Sequence, residues 1–85
     1  MNVLYFAWVK QKIGQSEERL DLPATIKTVR GLAEFLRARG GGYADAFADL
    51  SRLRTAVNQE HVPFDAPVGP DDEVAFFPPV TGGQP

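Results

Sequence analysis

Glu73-Val74-Ala75-Phe76-Phe77-Pro78-Pro79-Val80-Thr81-Gly82-Gly83-Gln84-Pro85 is the stretch on which the reading of this chain turns. Its opening alternates, with Val74 and Phe76 on one face and Ala75 and Phe77 on the other, as a β-strand does. Pro78 and Pro79 then favour an extended backbone and have no N–H for sheet pairing. Gly82 and Gly83 carry no Cβ, so the backbone there is thin enough for a narrow channel. From Pro78 to Gly83 an extended chain reaches about 20 Å, at ~3.3 Å per residue. The expectation is a folded domain over residues 1–77 that holds out a tail over residues 78–85.

Working outward, Pro63 to Asp72 holds three prolines and Gly69 and reads as an irregular loop. Before it, Arg54-Thr55-Ala56-Val57-Asn58 reads as a strand, Asn58-Gln59-Glu60 as a turn, and His61-Val62 as the start of a short returning strand. At the other end of the chain, Val3-Leu4-Tyr5-Phe6-Ala7-Trp8-Val9 is apolar on both alternating faces and reads as a central strand. Lys10 to Ser16 reads as a turn, and Glu18 to Leu22 as a strand with Leu20 and Leu22 inward, paired with the first as a hairpin and ended by Pro23.

Between these strands, Thr28 can cap a helix, because its hydroxyl can accept from an otherwise unpaired backbone N–H. Val29, Leu32, Phe35 and Leu36 follow on one helical stripe. Arg37 and Arg39 suit the negative end of the helix, and Gly40-Gly41-Gly42 stops it. Tyr43, Phe47 and Leu50 suggest a short second helix or turn. The order predicts an α+β fold: a mixed sheet with one main helix and a short second helix on one face, its first and last strands parallel at the centre. That is the β-grasp, or ubiquitin-like, arrangement.

Composition narrows the function. The 85 residues suit one domain, and 44 % hydrophobic with 24 % charged is ordinary for a globular chain. A net charge of -2 with the signs interspersed argues against a nucleic-acid surface. With no cysteine there is no disulfide, thiol nucleophile or thiolate metal site. Val3 to Val9 is too short to span a membrane and lacks the basic flank of a signal peptide, so no membrane association is expected and the default location is cytoplasmic.

The conventional sites are thin. His61 is the only histidine, and a metal site needs several ligands. Asp71-Asp72-Glu73 reads as a polar turn before a strand. Gly40-Gly41-Gly42 follows a helix and lacks the strand–loop–helix setting of a phosphate cradle. Ser16 and Ser51 have no evident base. No bound cofactor and no metal are expected. The tail offers different chemistry. A carboxylate at Gly83 would be a long-reach acyl group, inert until a partner enzyme activates it with ATP.

Val3-Leu4-Tyr5-Phe6-Ala7, Ala56-Val57-Asn58-Gln59 and, most specifically, Asp71-Asp72-Glu73-Val74-Ala75-Phe76-Phe77-Pro78-Pro79-Val80-Thr81-Gly82-Gly83 resemble the small subunit of molybdopterin synthase, over nearly the whole chain. The resemblance implies a ubiquitin-like sulfur carrier that is itself non-catalytic within a heterotetrameric sulfurtransferase. In that family an E1-like adenylyltransferase uses ATP to activate the terminal glycine. A sulfur donor system then converts it to a thiocarboxylate, and the tail enters the large subunit of molybdopterin synthase. There the sulfur passes to cyclic pyranopterin monophosphate. By position Gly83 is the acyl carrier, and Phe77, Pro78, Pro79, Val80, Thr81 and Gly82 contact partners. Lys10 lies where the family often carries a basic residue.

One departure stands out: Gln84 and Pro85 follow Gly83, whereas family members usually end at the second glycine. The chain is expected to be trimmed by a protease, or else to bind the large subunit without being charged. Other classes share the tail logic: a sulfur carrier for thiamine or tRNA thiolation, a ubiquitin-like modifier that forms isopeptide bonds, and an interaction domain with no acyl chemistry.

Overall fold

The structure is a computed structural model and describes residues 1–79. Five strands form one mixed sheet: β1 (Asn2–Tyr5), β2 (Glu17–Arg19), β3 (Arg54–Val57), β4 (Glu60–Val62) and β5 (Glu73–Phe77), in the spatial order β2-β1-β5-β3-β4. The last strand takes the middle place. It runs parallel to β1, with Val3 opposite Val74 and Tyr5 opposite Phe76, and antiparallel to β3, with Thr55 opposite Phe76. A parallel pair needs a long crossover, and the helical middle of the chain supplies it. This is the β-grasp arrangement expected from the sequence.

The principal helix, α2 (Val29–Arg37), begins as expected: the Thr28 hydroxyl accepts from the Gly31 N–H at 3.1 Å. Val29, Leu32, Ala33 and Leu36 are its buried stripe, while Phe35 lies half-buried at the edge. These side chains meet Val3, Tyr5, Val74 and Phe76 from the sheet, and Phe47 packs edge-on to Phe76 with ring centroids 4.9 Å apart. All the helices pack on this side of the sheet, so the core is a single layer beneath β1 and β5.

The first seven apolar residues do not form one strand. β1 ends at Tyr5, Phe6 is extended, and Ala7 takes a left-handed φ of 55° at the start of a helix absent from the sequence reading, α1 (Ala7–Ile13). Lys10 to Ser16 is therefore mostly helix, stopped by Gly14 at φ 94°, a conformation that glycine adopts without strain. Val9 is fully buried because it faces the core from a helix, a placement that strand alternation mimics. With α1 between them, β1 and β2 are antiparallel neighbours but not a tight hairpin. β2 is also shorter than expected; Leu20 and Leu22 pack half-buried beyond its end.

α2 ends at Arg37 with Ala38 as its cap, before the three glycines that were expected to stop it, and Gly40 at φ 80° leads into the next helix. Gly41 and Gly42 open α3 (Gly41–Ala46), which is followed by a 3-10 turn at Leu50–Arg52. A Cβ at Gly42 would lie 1.9 Å from the Lys12 carbonyl oxygen, so glycine there lets α3 press directly on the backbone of α1.

Candidate functional site

The site is built around the end of β5. Strand alternation buries Val74 and Phe76 and turns Ala75 and Phe77 to the side without helices. Phe77 lies opposite Arg54 on β3, and its ring sits 5.3 Å from the His61 imidazole, tilted by 50°. On the other flank, the Phe6 N–H donates to the Phe76 carbonyl at 3.2 Å, so the end of the strand is fastened on both sides. Pro78 and Pro79 continue from it, half-buried.

The ladder registers place a row of side chains across this uncovered face: Glu17 beside Leu4, Leu4 beside Ala75, Ala75 beside Ala56, and Ala56 beside His61. The next row holds Phe77 and Arg54. Phe6, at the rim, is 48 % exposed and is the one large exposed hydrophobic among the described residues. Leu4, Ala75, Phe77 and Phe6 thus make an apolar patch at the end of β5, with Ala56 buried among its neighbours, rimmed by Glu17, Arg54 and His61. Such a rimmed patch is the usual form of a protein contact surface. Arg54 is turned aside, its guanidinium donating to the Leu53 carbonyl at 2.9 Å and the Ser51 carbonyl at 3.5 Å.

Behind the patch a polar cluster braces β1. One carboxylate oxygen of Glu18 accepts from the Tyr5 hydroxyl at 2.8 Å, the Tyr43 hydroxyl at 2.6 Å and the Gln15 amide at 3.2 Å. The other accepts from Arg39 at 2.8 Å. Burial pushes the Glu18 carboxyl up, but the hydrogen bonds from Arg39, Tyr43 and Tyr5 outweigh it and hold the group below its ordinary value. Burial, then the bond to Glu18, pushes the Tyr5 and Tyr43 hydroxyls up. None of these groups is hydrogen-bonded to Phe77, Pro78 or Pro79. Their effect is to clamp Tyr5, whose backbone neighbour in the sheet is Phe76.

Of the residues singled out from the sequence, Phe77, Pro78 and Pro79 lie together at this strand end. Val80, Thr81, Gly82 and Gly83 lie outside the described residues. Lys10 is exposed on α1 and lines a cleft with Leu4, Tyr5, Phe6 and Ala7, next to the apolar face. Asp72 serves the turn, accepting from the Gly69 N–H at 2.8 Å and the Asn58 amide at 2.9 Å. Among the described residues no group of three or more His, Cys, Asp or Glu side chains could hold a metal ion. Sequence reasoning missed Leu4, Phe6, Arg54, Ala56 and His61 as parts of one face. The alternation of β1 and β3 carried that signal once both were known to flank β5.

The ThiS family's sequence profile matches residues 3–83. The chain belongs to the ThiS family. The molybdopterin synthase sulfur carrier subunit of Escherichia coli (strain K12) is 42 % identical to it over 83 residues, covering 98 % of this chain and 99 % of that protein. The Homo sapiens protein of the same name is 33 % identical over 86 residues, covering 98 % and 93 %. Among solved structures, molybdopterin converting factor subunit 1 of Pyrococcus furiosus superposes with a TM-score of 0.67 at 27 % identity, covering 93 % of this chain and 95 % of that one. Small archaeal modifier protein 1 of Haloferax volcanii, at a TM-score of 0.66 and 21 % identity over 94 % of this chain and 97 % of that one, shares the fold. The family resemblance drawn from the sequence therefore holds. Among the described residues no helix is long and apolar enough to cross a membrane.

Proposed function

We propose that this chain is the sulfur carrier subunit of a molybdopterin synthase and that Gly83, once terminal, carries the sulfur. The observation that carries the reading is the end-to-end likeness to sulfur carrier subunits, with residues 3–83 matching the family. The placement of Phe77, Pro78 and Pro79 at the edge of an apolar face supports it.

The steps then follow. A protease removes Gln84 and Pro85, leaving a carboxylate on Gly83. An E1-like adenylyltransferase joins that carboxylate to the α-phosphate of ATP, releasing pyrophosphate. Sulfur from a donor system, at the level of sulfide, attacks the acyl carbon and expels AMP, leaving a thiocarboxylate. The apolar face docks on the large subunit in the cytoplasm, and the tail from Pro78 enters a channel that admits the unsubstituted backbone of Gly82 and Gly83. The thiocarboxylate sulfur is transferred to cyclic pyranopterin monophosphate, and water restores the carboxylate. Two copies of each subunit make the synthase.

The test compares the full-length chain with one ending at Gly83. Each is incubated with ATP, the adenylyltransferase and a sulfur donor, and read by intact mass. The shortened chain is expected to exchange one oxygen for sulfur, and the full-length chain to stay unchanged until trimmed. Gly83 found in isopeptide linkage to lysines would make the chain a modifier. Selective capture of a thiazole synthase in place of the large subunit would move it to another pathway. Normal cofactor synthesis with Gly83→Ala would leave an interaction domain without acyl chemistry.

A further inference from the structure

The apolar face carries the chain's single histidine. His61 is exposed on the edge strand β4, lies beside Ala56 in the register, and rests its imidazole against the Phe77 ring. Few charged groups share its face, and Glu17 stands at the opposite end of the same row, across the three strands that carry Ala56, Ala75 and Leu4. On β3, Arg54 shares the face, its guanidinium drawn back to the Leu53 and Ser51 carbonyls. On β5, Phe77 is the ring it touches, and Glu73 lies at the far end of the strand, opposite Asn2. On β4 itself, Glu60 precedes it and by alternation points to the opposite side. Among the described residues no side-chain carboxylate is hydrogen-bonded or ion-paired to His61.

A neutral imidazole on a phenyl ring extends an apolar surface. An imidazolium at the same place is a full charge that must lose water when a partner covers it. We propose that His61 sets the pH range over which this face docks, by accepting the large subunit of the synthase when neutral and opposing it when protonated. The inference rests on the docking surface proposed above. It adds that the occupant presents an apolar, carboxylate-free surface to His61, because a carboxylate there would reverse the sign.

The test measures the Kd between the full chain and the purified large subunit from about pH 8 to about pH 5.5, the interval in which histidine ordinarily changes charge. The wild-type complex is expected to weaken by about tenfold across it, the penalty of covering one uncompensated charge. His61→Gln and His61→Leu, which cannot take up a proton, are expected to give flat profiles, with His61→Leu the tightest at the acid end. Because the large subunit titrates as well, the deciding quantity is the difference between the wild-type and His61→Gln profiles. An unaltered profile in His61→Gln overturns the inference and leaves the docking face in place, as does wild-type binding that tightens on acidification. Absence of binding at every pH, with intact fold, overturns the docking assignment and this inference with it.

Discussion

Replacing Glu18 by alanine removes the acceptor on which four donors converge, from Tyr5, Gln15, Arg39 and Tyr43. The cost can be worked from the contacts. Tyr5 is 1 % exposed, so its hydroxyl loses its acceptor without gaining water, at about 1–2 kcal/mol for an unsatisfied buried hydroxyl. Tyr43, half-buried and bonded at 2.6 Å, adds about 1 kcal/mol. Arg39, whose side chain is 33 % exposed, regains solvent and adds only about 0.5 kcal/mol. The sum is about 3 kcal/mol. At about 4–8 °C per kcal/mol for a domain of this size, the melting midpoint falls on the order of 15 °C. Urea unfolding followed by circular dichroism measures it, with Tyr5→Phe alone and combined with Glu18→Ala. In the Glu18→Ala background, Tyr5→Phe is expected to cost almost nothing, a coupling of about 1 kcal/mol. A Glu18→Ala loss below about 1 kcal/mol, or strictly additive variants, would refute the reasoning.

Three further outcomes are expected. Because the Glu18 carboxyl is held below its ordinary value, its contribution is complete above the unfolded glutamate range of about 4.3 and is lost as pH falls through the lower folded value. Stability against acid followed by circular dichroism should show this loss, and Glu18→Gln should flatten it. Gly42→Ala drives a methyl into the Lys12 carbonyl oxygen, separates α1 from α3 and costs about 2 kcal/mol or more in urea titration. Phe77→Ser weakens binding to the large subunit by about tenfold or more while moving the melting midpoint by only a few degrees, because the ring is half-buried at the strand end; calorimetry and thermal melts separate the two effects.

The elements with local signatures were legible in the sequence. Thr28 and the Val29-Leu32-Leu36 stripe specify α2 without outside help, and Glu73 to Phe77 alternates cleanly because one face is buried and the other is not. Asn58 and Gln59, at φ 51° and 70°, make the turn that their polar character suggested. The helix α1 was not legible as a helix, because Val3 to Val9 is apolar throughout and its change of direction rests on one backbone conformation at Ala7. Two weak markers pointed to it: Gly14 as a helix stop, and Val9 and Ile13 one helical turn apart. Of the candidate site, Phe77, Pro78 and Pro79 could be read from one continuous motif. The face around them could not, because Leu4, Ala56 and His61 come from three strands whose neighbours are fixed only by tertiary pairing.

The central position of β5 has a mechanical consequence. A partner that draws on the chain beyond Pro79 pulls along the strand, across hydrogen bonds that run sideways to β1 on one flank and β3 on the other. Sliding the strand out loads both ladders in shear, so many bonds must rupture together, whereas an edge strand could be peeled away one bond at a time. Traction at that end is therefore resisted by two ladders loaded together, and the body holds its fold while the chain beyond Pro79 is pulled.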